Sequence, residues 1–214
     1  SSAASDEYKR QELKALFFSE AGRYNGLPVR RAQLQSGRPD PNAGISTFEF
    51  TGPVSRINPD AAPPIVGSSF EISATITVPK DGGNGTILAL GGKFGGLSLF
   101  LKDGHPQFEY NFFNFERSKV ASATRLSAGI HNVQLIFSRQ QGFLAAARMS
   151  LLVDDVPVGE AALKQTAPMR LTLDEGFDIG IDTGTPASES YASPNSFDGA
   201  IDRVVVKINR PDPR

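Results

Sequence analysis

The sequence predicts an all-β fold, an antiparallel β-sandwich preceded by one α-helix. Three observations carry this expectation. Runs of alternating apolar and polar residues recur from Ser46 onward, the cleanest being residues 70–78 (FEISATITV). A period of two places successive side chains on opposite faces of a strand. Turn-forming clusters such as residues 81–85 (DGGNG) and Asp103-Gly104 separate the runs, at the spacing of roughly 8–12 residues expected of sandwiches and barrels. After Tyr24 no segment shows helical periodicity, which argues against a parallel sheet with crossover helices.

In chain order, residues 7–24 predict the helix. Leu13, Leu16, Phe17 and Tyr24 recur at three- and four-residue spacing, opposite Lys9, Arg10, Glu12, Lys14 and Glu20. Ser5 or Asp6 suits the N-cap, and Asn25-Gly26 followed by Pro28 suits the stop. Residues 1–28 are therefore assigned to the helix and its end. A helix this short is marginal alone in water, so its apolar stripe calls for a partner, either the sandwich or another domain.

Residues 29–45 read as a linker, with Arg30, Arg31 and Arg38 among turn-forming Gly and Pro. Residues 46–210 are assigned to the sandwich. Strands are expected at 46–51, 70–78, 86–90, 97–101, 107–115, 117–124, 130–137, 148–153, 156–162 and 200–208, with a further short one at 169–173. Residues 177–182 alternate Phe177, Ile179 and Ile181 against Asp178, Gly180 and Asp182, which reads as one more strand. Residues 51–67, with Pro53, Pro59, Pro63 and Pro64, read as loop.

Composition removes several classes of function. With no cysteine, there is no disulfide framework, Cys–zinc site or Cys nucleophile. A net charge of −1 does not indicate attraction to nucleic acid or to an anionic membrane. No run approaches the length of a transmembrane helix. The opening SSAASDEYKR has no basic start followed by an apolar core, so it does not read as a signal peptide; a segment of a longer chain is the expectation.

Few residues invite a chemical role. Asp174, Asp178 and Asp182, with Glu175, offer hard oxygen ligands of the kind that hold calcium. Strand positions 178 and 182 would be about 13 Å apart, so a solvated face, or hydrogen bonding to the Gly184-Thr185 loop, competes with the metal reading. Nothing in the sequence places His105 or His131 near a nucleophile in a triad geometry, and surface or edge roles are expected for both. GGKFGG (91–96) has the wrong spacing for a phosphate loop and reads as a glycine-rich hairpin. Phe108, Tyr110, Phe112, Phe113 and Phe115 form an aromatic run, suited to core or interdomain packing or, where exposed, to stacking on sugar rings.

Residues 12–30 (ELKALFFSEAGRYNGLPVR) carry Ala21, Tyr24, Asn25, Leu27 and Pro28 in a pattern that resembles the helix following the catalytic core of large bacterial arylsulfatases. Residues 91–104 and 110–117 resemble the next blocks of the same region. Residues 174–186 and 197–206 resemble its end. The resemblance spans nearly the whole chain with the blocks in order. It implies a jelly-roll sandwich of the concanavalin A or laminin-G kind, acting as a non-catalytic C-terminal domain that packs on and supports the catalytic core. Within the matching blocks, Lys93, Tyr110, Asn111, Phe113 and Arg117 are candidates for a ligand- or core-facing surface.

The chain lacks the Cys/Ser-x-Pro-x-Arg motif that sulfatases convert to formylglycine. The chain alone is therefore expected to be inactive and without cofactor, with calcium belonging to the core. The implied partners are that catalytic domain and carbohydrate, not nucleic acid or membrane. The implied setting is soluble, in the periplasm or cytoplasm of a bacterium. The alternative is a free-standing laminin-G-like carbohydrate-binding module, which would display an exposed aromatic platform. A sandwich glycosidase would need two carboxylates about 5–10 Å apart across a groove, and the strands carry few inward-pointing Glu.

Calcium is not expected to be needed for folding. Melting curves in EDTA and in added Ca²⁺ should coincide, and a saturable rise in Tm with Ca²⁺ would revive the Asp174–Asp182 site through binding linkage.

Overall fold

The computed structural model describes residues 2–23, 41–172 and 174–209. Contacts divide the chain into two units, residues 1–40 and 41–214. The first contains α1 (Ser2–Arg23). It starts before the predicted caps, because Ala3 and Ala4 are strong helix formers that extend it through Ser5 and Asp6. Exposed pairs Lys9–Glu12 and Arg10–Glu7 link successive turns at 3.1 and 3.0 Å. Leu13, Leu16 and Phe17 are each 56% exposed. Tyr24, the Asn25-Gly26 stop and linker residues 29–40 lie outside the described residues.

The second unit is a sandwich of two six-stranded antiparallel sheets. The first sheet is ordered β1 (Thr47–Phe50), β12 (Ala200–Asn209), β3 (Ser69–Val78), β8 (Gly129–Arg139), β9 (Ala147–Val153), β10 (Val156–Leu163). The second is ordered β2 (Val54–Ile57), β11 (Phe177–Ile179), β4 (Gly85–Gly92), β5 (Gly95–Lys102), β6 (His105–Phe112), β7 (Glu116–Ala121).

Alternation along β3 buries Phe70, Ile72, Ala74, Ile76 and Val78 and turns Ser69, Glu71, Ser73, Thr75 and Thr77 outward. The facing sheet contributes Leu88, Leu90, Leu97, Leu99, Leu101, Phe108 and Tyr110 to the same core. Phe137 on β8 ties the sheets together. Its ring stacks on Phe70 at 4.7 Å, lies 5.6 Å from Tyr110 and meets Phe108 edge-on at 6.5 Å. At the other side of the core, Phe50 of β1 meets Phe177 of β11 at 5.4 Å.

Three expectations are corrected. β2 forms inside the Pro-rich segment 51–67, where Arg56 takes a positive φ of 59° and donates its N–H to Asp178 Oδ1 at 2.5 Å. The strand expected over 177–182 ends at Ile179: Gly180 adopts φ 79° and turns the chain away. Residues 169–172 are not a strand, and Leu173 lies outside the described residues.

β4 and β5 are buried nearly throughout rather than alternately. The reason is the segment after Gly180. It leaves the sheet after β11, is pinched by reciprocal backbone hydrogen bonds between Asp182 and Asn195 (3.3 and 3.1 Å) and covers the outer face of the second sheet. On the first sheet, Ser73, Thr75, Asn132 and Gln134 are half-buried rather than buried.

Phe137→Ala should lower unfolding stability by about 3–5 kcal/mol, since it removes an aromatic ring shared by both sheets. Denaturant titration checks this; a loss below about 1 kcal/mol would mean the rings are not packed as described.

Candidate functional site

Two hairpin turns meet at one end of the second sheet. The β4–β5 turn is Lys93-Phe94, flanked by Gly91, Gly92, Gly95 and Gly96 in paired register. Gly95 needs to be glycine: its φ is 147°, and a Cβ there would lie 2.1 Å from the Leu171 carbonyl. The β6–β7 turn is Phe113-Asn114, with φ of 50° and 60°, closed by the Phe115 N–H donating to the Phe112 carbonyl at 2.9 Å. Two successive positive φ values break the extended backbone, so β6 stops at Phe112 rather than continuing to Phe115, and three residues separate it from its partner Glu116.

Asn111 joins the two turns. It is fully buried, donates Nδ2–H to the Gly92 and Lys93 carbonyls at 2.9 Å each and accepts the Asn114 N–H at 2.9 Å. Arg117 lies beside it in register. Its guanidinium donates to Glu109 Oε1 and the Ala187 carbonyl at 2.9 Å each, to Asn114 Oδ1 at 3.2 Å and to the Lys93 carbonyl at 3.4 Å. Nε also sits 3.4 Å from Glu189. One cation thus gathers both turns and the covering segment.

That segment is held by a row of polar groups on the covered face. Asp178, Ala89, Ser98, Glu109 and Lys119 stand opposite one another across five strands. Asp178 Oδ2 accepts the Thr183 N–H and Oγ1–H at 2.9 and 2.7 Å. Ser188 Oγ donates to Glu109 Oε2 at 2.6 Å. The Tyr191 hydroxyl donates to Asp182 Oδ2 at 2.7 Å and lies 2.8 Å from Ser98 Oγ, with its ring edge-on to Phe100 at 5.1 Å. Burial pushes the carboxyl of Asp182 and the phenol of Tyr191 above their ordinary values.

A pocket of about 420 Å³ opens beside the turns. Phe94, Phe113 and Leu171 form its apolar lining; Arg170, Thr172, Asp174 and Glu175 form its polar lining. Phe94 is 72% exposed. Arg170 is paired with Asp60. Glu175 Oε1 accepts Thr185 Oγ1–H at 2.6 Å, and Thr185 Oγ1 accepts the Lys93 N–H at 2.8 Å. Glu175 Oε2 is buried against Gly92 and Gly184 and finds no donor among the described residues.

Of the five residues singled out in the sequence, Lys93, Asn111, Phe113 and Arg117 come together at this end of the sheet. Tyr110 does not: it points into the core, 4% exposed, and its hydroxyl accepts the Ala167 N–H at 2.9 Å, while burial pushes its pKa up to about 12. The three aspartates are not gathered around one point. Asp178 and Asp182 spend their carboxylates on separate backbone and hydroxyl donors, while Asp174 lines the exposed pocket. Among the described residues no group of three or more His, Cys, Asp or Glu side chains could hold a metal ion.

The pocket residues Phe94, Leu171 and Arg170 escaped the sequence reading. Exposed Phe94 inside GGKFGG was the available signal. His131 lies near the start of β8, between two loops. It stands between Asp154 Oδ2 at 2.8 Å and Ser127, whose Oγ and carbonyl lie 3.1 and 3.0 Å from Nε2. The serine's own carbonyl shares that nitrogen, so the trio braces the β9–β10 turn against the 127 loop. The backbone N–H of Asn132, and then His131, hold the Asp154 carboxyl below its ordinary value.

Fold and site together define a two-sheet antiparallel sandwich with a turn-built pocket. A family model for the laminin G domain matches residues 80–209, and the chain belongs to that family. No curated protein matches the chain. Among solved structures, the Ruminococcus gnavus IT-sialidase CBM40 bound to α2,3-sialyllactose is similar at 15% identity and a TM-score of 0.51, covering 78% of this chain and 92% of that one. The mouse laminin α1 chain, domains LG4-5, is similar at 17% identity and a TM-score of 0.53, covering 79% of this chain and 45% of that one. No helix of the described residues is long and apolar enough to cross a membrane.

Arg117→Met should cost about 3–5 kcal/mol, because it leaves Glu109 buried without its cation. Adding Glu109→Gln should return part of that loss in a double-mutant cycle. Additive effects would show that the pair is not coupled.

Proposed function

We propose that the sandwich is a non-catalytic carbohydrate-binding module. One observation carries the reading: an exposed Phe94 stands beside Phe113 over a pocket whose other wall supplies Arg170, Thr172, Asp174 and Glu175. Sugar rings present an apolar face of C–H groups and a rim of hydroxyls. Aromatic rings suit the first, and charged or hydroxyl side chains suit the second. The pocket volume falls in the range of small-molecule sites. Lys93, Asn111 and Arg117 serve it as positioning residues that hold the two turns in place. The α2,3-sialyllactose named for the R. gnavus neighbour supports carbohydrate as the ligand class.

A second reading keeps the resemblance of the sequence blocks to those of large bacterial arylsulfatases. The domain would then be the accessory part of a sulfuric ester hydrolase, with calcium and the nucleophile in a catalytic domain of the same polypeptide. The apolar residues exposed on α1, Leu13, Leu16, Phe17 and Phe18, favour it by offering a face that such a domain could cover. A Cys/Ser-x-Pro-x-Arg motif encoded upstream is the expected mark of this parentage. The two readings are compatible, since an accessory domain can carry a sugar site.

The carbohydrate reading is checked by calorimetric titration with a panel of neutral and acidic oligosaccharides. Phe94→Ala is expected to weaken binding at least about tenfold, the loss of one stacking contact, with Tm unchanged because the side chain is exposed. Unaltered affinity in that variant would remove the pocket from the reading.

A further inference from the structure

We infer that this pocket selects uncharged sugar units and discriminates against carboxylated, sulfated or phosphorylated ones. The inference rests on the carbohydrate reading above and adds the class of sugar.

The argument is one of charge. The pocket lining contains one cation, Arg170, and two carboxylates, Asp174 and Glu175. The guanidinium of Arg170 is already engaged by Asp60. An arriving anion must therefore displace a carboxylate from its partner or forgo a counter-charge. Lys93 contributes its backbone to the site: its N–H donates to Thr185, and its carbonyl accepts from Asn111 and Arg117. Arg117 has its guanidinium spent on Glu109, Ala187 and Asn114. The Arg117 cation is thus committed to holding the turns rather than to a ligand, and the exposed Lys93 side chain is not part of the pocket lining.

The carboxylates weigh in the same direction. Glu175 receives one hydrogen bond, from Thr185, and its second oxygen has no donor among the described residues. A carboxylate so poorly screened by donors repels a second negative charge, and more strongly in a partly desolvated pocket than in water. A hydroxyl has no such conflict. Sugar hydroxyls donate to carboxylates such as Asp174, and those bonds to a charged acceptor are stronger than neutral ones. The apolar wall of Phe94 and Phe113 takes the C–H face of a pyranose whatever its charge, so it sets ring stacking, while the acidic wall sets the sign of charge.

The test sets neutral probes against acidic ones, one pair of which differs by a single acidic unit. The full chain is titrated with lactose and 3′-sialyllactose, and with cellotetraose, galactotetraose and a heparin tetrasaccharide, at about 20 and 150 mM salt, where screening differs. At least one neutral sugar should bind about tenfold or more tightly than any acidic one, with the gap widest at low salt. Asp174→Asn and Asp60→Asn should each narrow that gap. The first removes a repelling charge and the second releases Arg170; both positions are exposed, so melting curves should be unchanged. Acidic sugars binding as tightly as neutral ones, through a site that Phe94→Ala weakens, would overturn the charge inference while leaving the carbohydrate reading intact. Binding of none of these sugars would overturn both.

Discussion

A strand pleat places polar residues on the outside of a sheet, and a sheet covered on that side must supply each of them with a partner. In this domain the covered face of the second sheet carries Asp178, Ser98, Glu109 and Lys119. Arg117 is the group on which their arrangement turns. It neutralises the buried Glu109 and reaches the Ala187 carbonyl on the covering segment and the Lys93 carbonyl of the neighbouring turn. The remaining polar groups follow the same logic, each side chain of the sheet answered by one from the segment: Asp178 by Thr183, Ser98 by Tyr191, Glu109 by Ser188, Lys119 by Ser190. A segment rich in Ser, Thr and Asn can lie against a sheet because those residues supply the matching donors and acceptors.

The same brace builds the pocket. Asn111 holds the Lys93-Phe94 turn to the Phe113-Asn114 turn, so the two phenylalanines stand at one end of the sheet without packing wholly into the core. Glu175 and Thr185 tie the third side, where the chain enters and leaves β11. Pocket residues thus sit on turns, and buried polar bonds on the strands beneath fix their positions, the arrangement that lets a β-sandwich carry a pocket without reorganising its core.

The two sheets differ for a related reason. The first turns Ser73, Thr75, Asn132 and Gln134 outward with only local bonds such as Ser73 to Asn132 at 3.0 Å. These neutral side chains can be half-buried and solvated at low cost. The second sheet puts Phe100 and Glu109 on its outer side, one too apolar and the other too enclosed by neighbours to be left in water.

Much of the architecture is legible in the residues alone. Period-two alternation in β3 and β8 and the Asp-Asp and Asp-Gly turns fix most strands within a few positions, because a half-buried strand writes its burial directly into its pattern. The glycine spacing of GGKFGG marks the hairpin for the same local reason. The failures share one cause. β2 is a strand because Asp178 and β11 provide its partners, against its local prolines. Tyr110 is a core residue because Phe137 faces it from the other sheet. Asp154 reaches His131, and Phe94, Leu171 and Arg170 share a pocket, only through pairings across long stretches of chain. The sequence by itself determined which segments extend, where they turn and that they stack as a two-sheet sandwich. Which polar residues are satisfied by one another, and which aromatics remain for a ligand, was decided only when the segment after Gly180 closed over the second sheet, since those contacts depend on distance in space and leave no period in the chain.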